Sequence, residues 1–111
     1  MEYVPQRCDI IIIDLPDEAG HEMYGRRPAF VLSPSKYNDK VGLVIICPIT
    51  SQIKGYPFEV TIPPGHSVTG VILVDQIKSI DWSFRNAEYE CHLQEETITD
   101  VLDKLGTLLW E

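Results

Sequence analysis

The sequence is short of what membrane, secreted and nucleic-acid-coating proteins usually need. Its apolar runs fall far below the ~18 consecutive residues of a membrane-spanning helix. The opening MEYVPQRCDIIII has no basic segment leading into an apolar core and a small-residue cleavage site, so no secretory signal is expected and the expected location is cytoplasmic. Cysteine is sparse. Cys8, Cys47 and Cys91 are odd in number and far apart, which supplies neither the CxxC spacing of a zinc site nor the even framework of a disulfide scaffold. They are expected to be reduced, with Cys47, inside an apolar run, a small core residue rather than a nucleophile, because no neighbouring cation in the sequence would lower its pKa. Basic residues are few as well, 9 Lys and Arg against 17 Asp and Glu, for a formal net charge of -8. That balance argues against a protein that holds nucleic acid simply by neutralising phosphates. Repeats, low-complexity tracts and linker-like stretches are absent too, so residues 1–111 read as a single domain with room for a modest core and reason to share an interface in a homodimer.

What is present is a series of short apolar segments separated by turn residues. DIIIIDL (9–15) reads as a buried strand followed by the turn-rich PDEAG, and PAFVL (28–32) as a second strand. Ser33-Pro34-Ser35 ends it and caps a short helical turn through Tyr37 and Asn38. LVIICPI (43–49) makes a third strand, FEVTI (58–62) alternates between two Pro/Gly turns, and 70–77 with its continuation to Trp82 completes a β body. The last segment changes period: Ile98, Val101, Leu102, Leu105, Leu108 and Leu109 share one helical face. An amphipathic C-terminal helix packed on a small twisted or barrel-like sheet is the expected architecture. Acidity concentrates there, in Glu88, Glu90, Glu95, Glu96, Asp100, Asp103 and Glu111 against a single Lys104. Trp82 and Trp110 adjoin apolar periodic sequence and are expected in the core or at a dimer interface rather than stacked on a ligand.

Five polar side chains stand where strands end: His21, Glu22, Arg27, Thr50 and Asp75. Strand ends hold groups rigidly while the adjoining loops leave room for a substrate. Each has a plain structural alternative, Arg27 as a partner of Asp14 or Glu22, Thr50-Ser51 as a turn, Asp75 as a hydrogen-bonded sheet aspartate. Arg27 is set in an extended backbone by the proline that follows it.

The order of the blocks decides between the alternatives. GHEMYGRRPAFVLSP, then YN, CPITSQ, KGYPFEV and GVILVDQIKSIDW resemble, in sequence and spacing, the MazF/PemK/Kid family of toxin endoribonucleases. The resemblance implies a mainly β (α+β) fold, a small SH3-like antiparallel barrel with a C-terminal helix. It also implies a homodimer that cuts single-stranded RNA without metal or other cofactor and is silenced by a small, acidic, partly disordered antitoxin. Arg27 matches the family's catalytic arginine and Thr50 its catalytic threonine. Asp75 and His21 match an aspartate and a histidine of the PemK/Kid branch, and the general base stays open among Asp75, His21 and Glu22. A guanidinium suits phosphate geometry and a developing phosphoryl charge, and the Thr50 hydroxyl would bond the same phosphate. Expected RNA contacts are Glu22, Arg26, Asn38, Ser51, Gln52, Lys54, Gln76 and Lys78, with the two lysines facing phosphate. The chain departs from the family pattern at Leu73, where the PemK/Kid branch has a second arginine, and at Cys8, Asp17 and Met23, where glycine, proline and glutamine are usual. A gyrase poison of the CcdB type, built on a similar fold without RNA cleavage, is the alternative function, and Arg27 with Thr50 favours the enzyme.

Overall fold

The computed structural model describes residues 2–17 and 23–110. Along them run β1 (Asp9–Leu15), β2 (Gly25–Val31), α1 (Ser35–Val41), β3 (Val44–Thr50), β4 (Glu59–Thr61), β5 (Val71–Leu73), β6 (Lys78–Ile80), β7 (Glu88–His92) and α2 (Glu95–Leu109). Among the described residues the strands form one antiparallel sheet in the order β4-β5-β3-β2-β1-β7. β6 lies against the first half of β3 and β5 against its second half. The architecture is the mainly β one expected, closed on one side by the C-terminal helix.

β1 is apolar on both faces because both faces are covered. Ile10 joins Phe30, Cys47, Ile49 and Ile72 in a cluster that α2 completes with Ile98, Val101 and Leu105. On the opposite face Ile11, Ile13 and Leu15 meet Ala29, Val31, Val44, Ile46, Val71 and Leu73. Strand alternation sorts the two sets. Each fully buried aliphatic side chain contributes about 1.5–3 kcal/mol, so neither face is a minor one. Cys47 has no exposure, and burial, with the charge of Asp75 second, pushes its thiol up to about 12. It is an inert core residue.

β3 and β4 shift by a single residue at each end from the sequence reading, and four larger differences each have a physical reason. β2 starts at Gly25 rather than Pro28, because Arg26 and Arg27 pair in register with Asp14 and Ile13 and extend the ladder. The 70–82 stretch is not one strand: a 3-10 turn at Val74–Gln76 separates β5 from β6 and a second at Trp82–Phe84 follows. β7, which the sequence reading did not anticipate, is a largely exposed strand paired with β1. α1 runs on to Val41, and no side chain caps it: its N-cap is Pro34, while the Ser33 hydroxyl bonds Asn38 Oδ1 and accepts the Ile45 N–H.

The helix face is narrower than its period suggested. Ile98, Val101 and Leu105 are buried, whereas Leu102, Leu108 and Leu109 are exposed, and Trp110, 74% exposed, stands outside the core. Trp82 is half-buried against the second cluster and donates its indole N–H to the Asn38 carbonyl at 2.9 Å. At the head of β1, Cys8 adopts φ +76°, the left-handed conformation that a glycine takes without cost. Its amide donates to Val31 and its carbonyl accepts from Leu93, which fixes the strand entry from both sides. The next residue, Asp9, is buried and gathers the Tyr3 hydroxyl, the Gln6 amide and His92 Nδ1, tying the N-terminal segment and β7 to β1. Among the described residues no helix is long and apolar enough to cross a membrane.

Candidate active site

The β2–β3 register pairs Ala29 with Pro48, Phe30 with Cys47 and Val31 with Ile46. The ladder ends at the first of these pairs, with Arg27 two residues before Ala29 and Thr50 two residues after Pro48. Both belong to the face of the second cluster, since Ala29 and Val31 precede on one strand's pattern and Val44 and Ile46 on the other's. Two residues far apart in sequence thereby stand just past the same end of the β2–β3 ladder. Arg27 is half-buried, and its Nε donates to the Tyr24 carbonyl at 2.8 Å, which holds one edge of the guanidinium. Thr50 is 8% exposed, and its Oγ1 accepts the Gln52 amide at 3.1 Å, so its own proton remains to be donated.

Thr50 opens into a small surface pocket lined also by Met23, Gln52, Lys54, Tyr56, Glu59, Leu73 and Gln76. Asp75 adjoins it in the Val74–Gln76 turn, exposed, with Oδ1 accepting the Tyr56 hydroxyl at 2.7 Å. Desolvation first, and the bond to Asp75 second, push the Tyr56 hydroxyl up to about 12. The close packing of β5 on β3 depends on one glycine: a Cβ on Gly70, whose φ is +120°, would be driven into the Thr50 carbonyl. Among the described residues no group of three or more His, Cys, Asp and Glu is placed to hold a metal ion.

Of the residues singled out in the sequence, Gln52, Lys54 and Gln76 line this pocket with Thr50, and Ser51 is exposed beside it. His21 and Glu22 lie outside the described residues. Three expectations are corrected. Asn38 is fully buried, its amide donating to the carbonyls of Pro5 and Ser33, and it is an internal brace that no RNA can reach. Arg26 alternates to the opposite face from Arg27 and is engaged by Asp14 at 3.1 Å, by the Asn86 carbonyl at 2.9 Å and by Glu88. The hydrogen bond from Asn86, and then Arg26, hold the Asp14 carboxyl below the usual carboxylate range. Lys78 faces inward from β6 opposite Ile46, and its Nζ is buried without a hydrogen-bond partner, so it does not present a charge at the surface. Two residues of the pocket were missed. Tyr56 and Glu59 both stand in KGYPFEV, and a carboxylate four residues after a Lys-Gly turn was the available signal.

The chain is similar to known proteins over nearly its full length. Residues 6–109 match the family of PemK-like, MazF-like toxins of type II toxin-antitoxin systems. The chain is 42% identical over 107 residues to the endoribonuclease toxin MazF of Escherichia coli K12, covering 96% of each. It superposes on the crystal structure of MazF from Deinococcus radiodurans with a TM-score of 0.94 at 45% identity, covering 99% of this chain and 100% of that one. A MazE-MazF crystal structure from the same organism gives 0.87 at 42% identity, with coverage of 99% and 100%. The chain therefore belongs to the PemK-like, MazF-like toxins of type II toxin-antitoxin systems, and its activity is that of an endoribonuclease.

Proposed function

We propose that single-stranded RNA is cut, without metal, in the pocket beside Thr50 and across from Arg27. The observation that supports this reading is that Thr50, at the end of β3, opens into a polar-lined pocket while Arg27 falls on the same face of the sheet near the start of β2. In the reaction the substrate's own 2′-oxygen attacks the adjacent phosphorus, the bond from phosphorus to the 5′-oxygen breaks, and the products are a 2′,3′-cyclic phosphate and a 5′-hydroxyl. One proton leaves the 2′-hydroxyl and another is delivered to the 5′-oxygen. The Arg27 guanidinium meets the charge that grows on the phosphoryl oxygens, and the Thr50 hydroxyl donates to one of them. Asp75 is the base that the described residues supply, with the Tyr56 hydroxyl holding one carboxylate oxygen and the other left to take the proton. His21 and Glu22 are the other two bases the sequence offers. Ser51, Gln52, Lys54 and Gln76 hold the flanking nucleotides.

The same reading takes 1–111 as one toxin domain acting in the cytoplasm as a homodimer, with exposed Leu109 and Trp110 of the C-terminal segment available for burial. A relative crystallised as MazE-MazF supports a cognate antitoxin, small, acidic and partly disordered, that occludes the RNA groove. The test is cleavage of single-stranded RNA in excess EDTA, with product ends read by mass spectrometry. Cyclic phosphate and 5′-hydroxyl ends are expected, and 5′-phosphate ends or a need for Mg²⁺ would overturn the reading. Arg27→Ala is expected to lower the single-turnover rate at saturating RNA by ~10²–10³, the loss of one preorganised donor, and Arg27→Lys to restore only part.

A further inference from the structure

The segment between β3 and β4 that carries Gln52 and Lys54 into the pocket has no regular structure, and residues 51–55 are exposed. Its shape therefore rests on a few contacts. The Glu59 carboxylate supplies two of them, Oε2 accepting the Lys54 amide at 3.0 Å and Oε1 the Gly55 amide at 2.9 Å. Consecutive amides converge on one anion where a left-handed residue follows, and Gly55 has φ +81°. Glu59 thus fills an anion-binding turn from within the chain. The Tyr56 hydroxyl on Asp75 and the Lys104 ammonium on the Pro57 carbonyl at 2.7 Å tie down the far side of the same segment.

We infer that Glu59 is a positioning residue for RNA: its carboxylate shapes the Lys54-Gly55 turn so that Lys54 and Gln52 face the nucleotides flanking the cut. The inference rests on the proposed site and adds to it a residue whose charge has the same sign as the substrate. That sign makes the role testable. A carboxylate near a polyanion that did nothing but repel it would, when neutralised, let RNA bind more tightly. A carboxylate that builds the lysine's platform would, when neutralised, make RNA bind more weakly, because a glutamine of the same size accepts only one of the two amides and turns its own NH₂ toward the other.

The experiment starts from an RNA that the wild-type protein is seen to cut, with a 2′-deoxy sugar then placed at the mapped position to give a non-cleavable ligand. Dissociation constants for that ligand and single-turnover rates for the parent RNA are measured for Glu59→Gln, Lys54→Ala, the double variant and Arg27→Ala, each checked for a cooperative unfolding transition. Glu59→Gln is expected to weaken binding about tenfold with the rate at saturation falling less than about threefold. In the Lys54→Ala background the same change is expected to cost almost nothing further, since the platform then carries no lysine. Tyr56→Phe, which removes one clasp of the segment without altering charge, is expected to weaken binding in the same sense. Unchanged or tighter binding by Glu59→Gln, or full additivity with Lys54→Ala, overturns the inference. Either result alongside an inactive Arg27→Ala leaves the site reading standing, whereas an Arg27→Ala protein that cuts at the wild-type rate removes the site reading itself.

Discussion

Single residues in this molecule are governed by the face they fall on. Arg26 and Arg27 are chemically identical neighbours, yet strand alternation gives one to Asp14 and Glu88 and turns the other to the opposite face, where it bonds the Tyr24 carbonyl. Sequence alone cannot divide such a pair unless the strand's start is known, and the start lay hidden because two arginines after a glycine look like loop. Cys8 makes the opposite point, because the family's preference for glycine there is explained by φ +76°. Cys8→Ala loses the buried thiol and keeps the strain, while Cys8→Gly loses slightly more surface and relieves about 1 kcal/mol of left-handed cost. Glycine is therefore expected to be at least as stable as alanine at this position in thermal unfolding, the reverse of the usual order in a strand. A Cys8→Gly protein clearly less stable than Cys8→Ala would refute the conformational argument. Titration follows from burial in the same way. Cys47 and Tyr56 both hold their protons more tightly folded, at about 12, than their ordinary values of 9.0 and 10.0. A raised folded pKa gives stability that is complete below the ordinary value and is lost as pH rises through the folded one. The urea midpoint is thus expected to decline from near pH 9 toward pH 12, and Cys47→Ala to show a shallower decline than the wild type over the lower part of that window.

Elements were legible in proportion to how one-sided their burial is. β1 was read to the residue, since a β-branched run covered on both faces has no other reading at that length. β7 was missed because Glu88, Tyr89 and Glu90 are exposed and the strand is held by its ladder to β1 rather than by an apolar face. The 70–82 run read as continuous because its apolar residues are continuous; the turn at Val74–Gln76 that breaks it serves the placement of Asp75 and leaves no mark in hydropathy. At the proposed site, Arg27 and Thr50 were singled out through blocks of sequence, while the pocket residue Glu59 was missed because a carboxylate that bonds backbone amides has no charged partner in the sequence, only its spacing after the Lys-Gly turn. α2 was found but too broadly drawn. Leu105, 5% exposed, closes the first cluster, whereas Leu109 is 61% exposed. Leu105→Ala is expected to cost about 2–4 kcal/mol in denaturant unfolding and Leu109→Ala, in the isolated chain at low concentration, less than about 0.5 kcal/mol. Equal costs would mean that the whole stripe packs inward.

At the scale of the whole molecule, charge and apolar exposure point to how partners are held. The chain carries a net charge of -8, concentrated in its C-terminal segment, so the acidic antitoxin proposed for it would meet charge of its own sign along that segment. Its grip is expected to rest on apolar anchors, and its affinity to change by less than about tenfold between low and moderate salt. A collapse by orders of magnitude would contradict this. Light scattering at micromolar concentration is expected to give a dimer mass, and a strict monomer would exclude an RNA groove shared between subunits. The pairing of β1 with β7 has one more consequence, which belongs to the birth of the protein. Asp9 finds its ladder partner only at His92, so a ribosome adding about 5–20 residues per second leaves the outer edge of β1, the one away from β2, unpaired for several seconds. For that interval the nascent chain is an open strand edge, exposed to pairing with another copy of itself before the sheet that carries its activity can close.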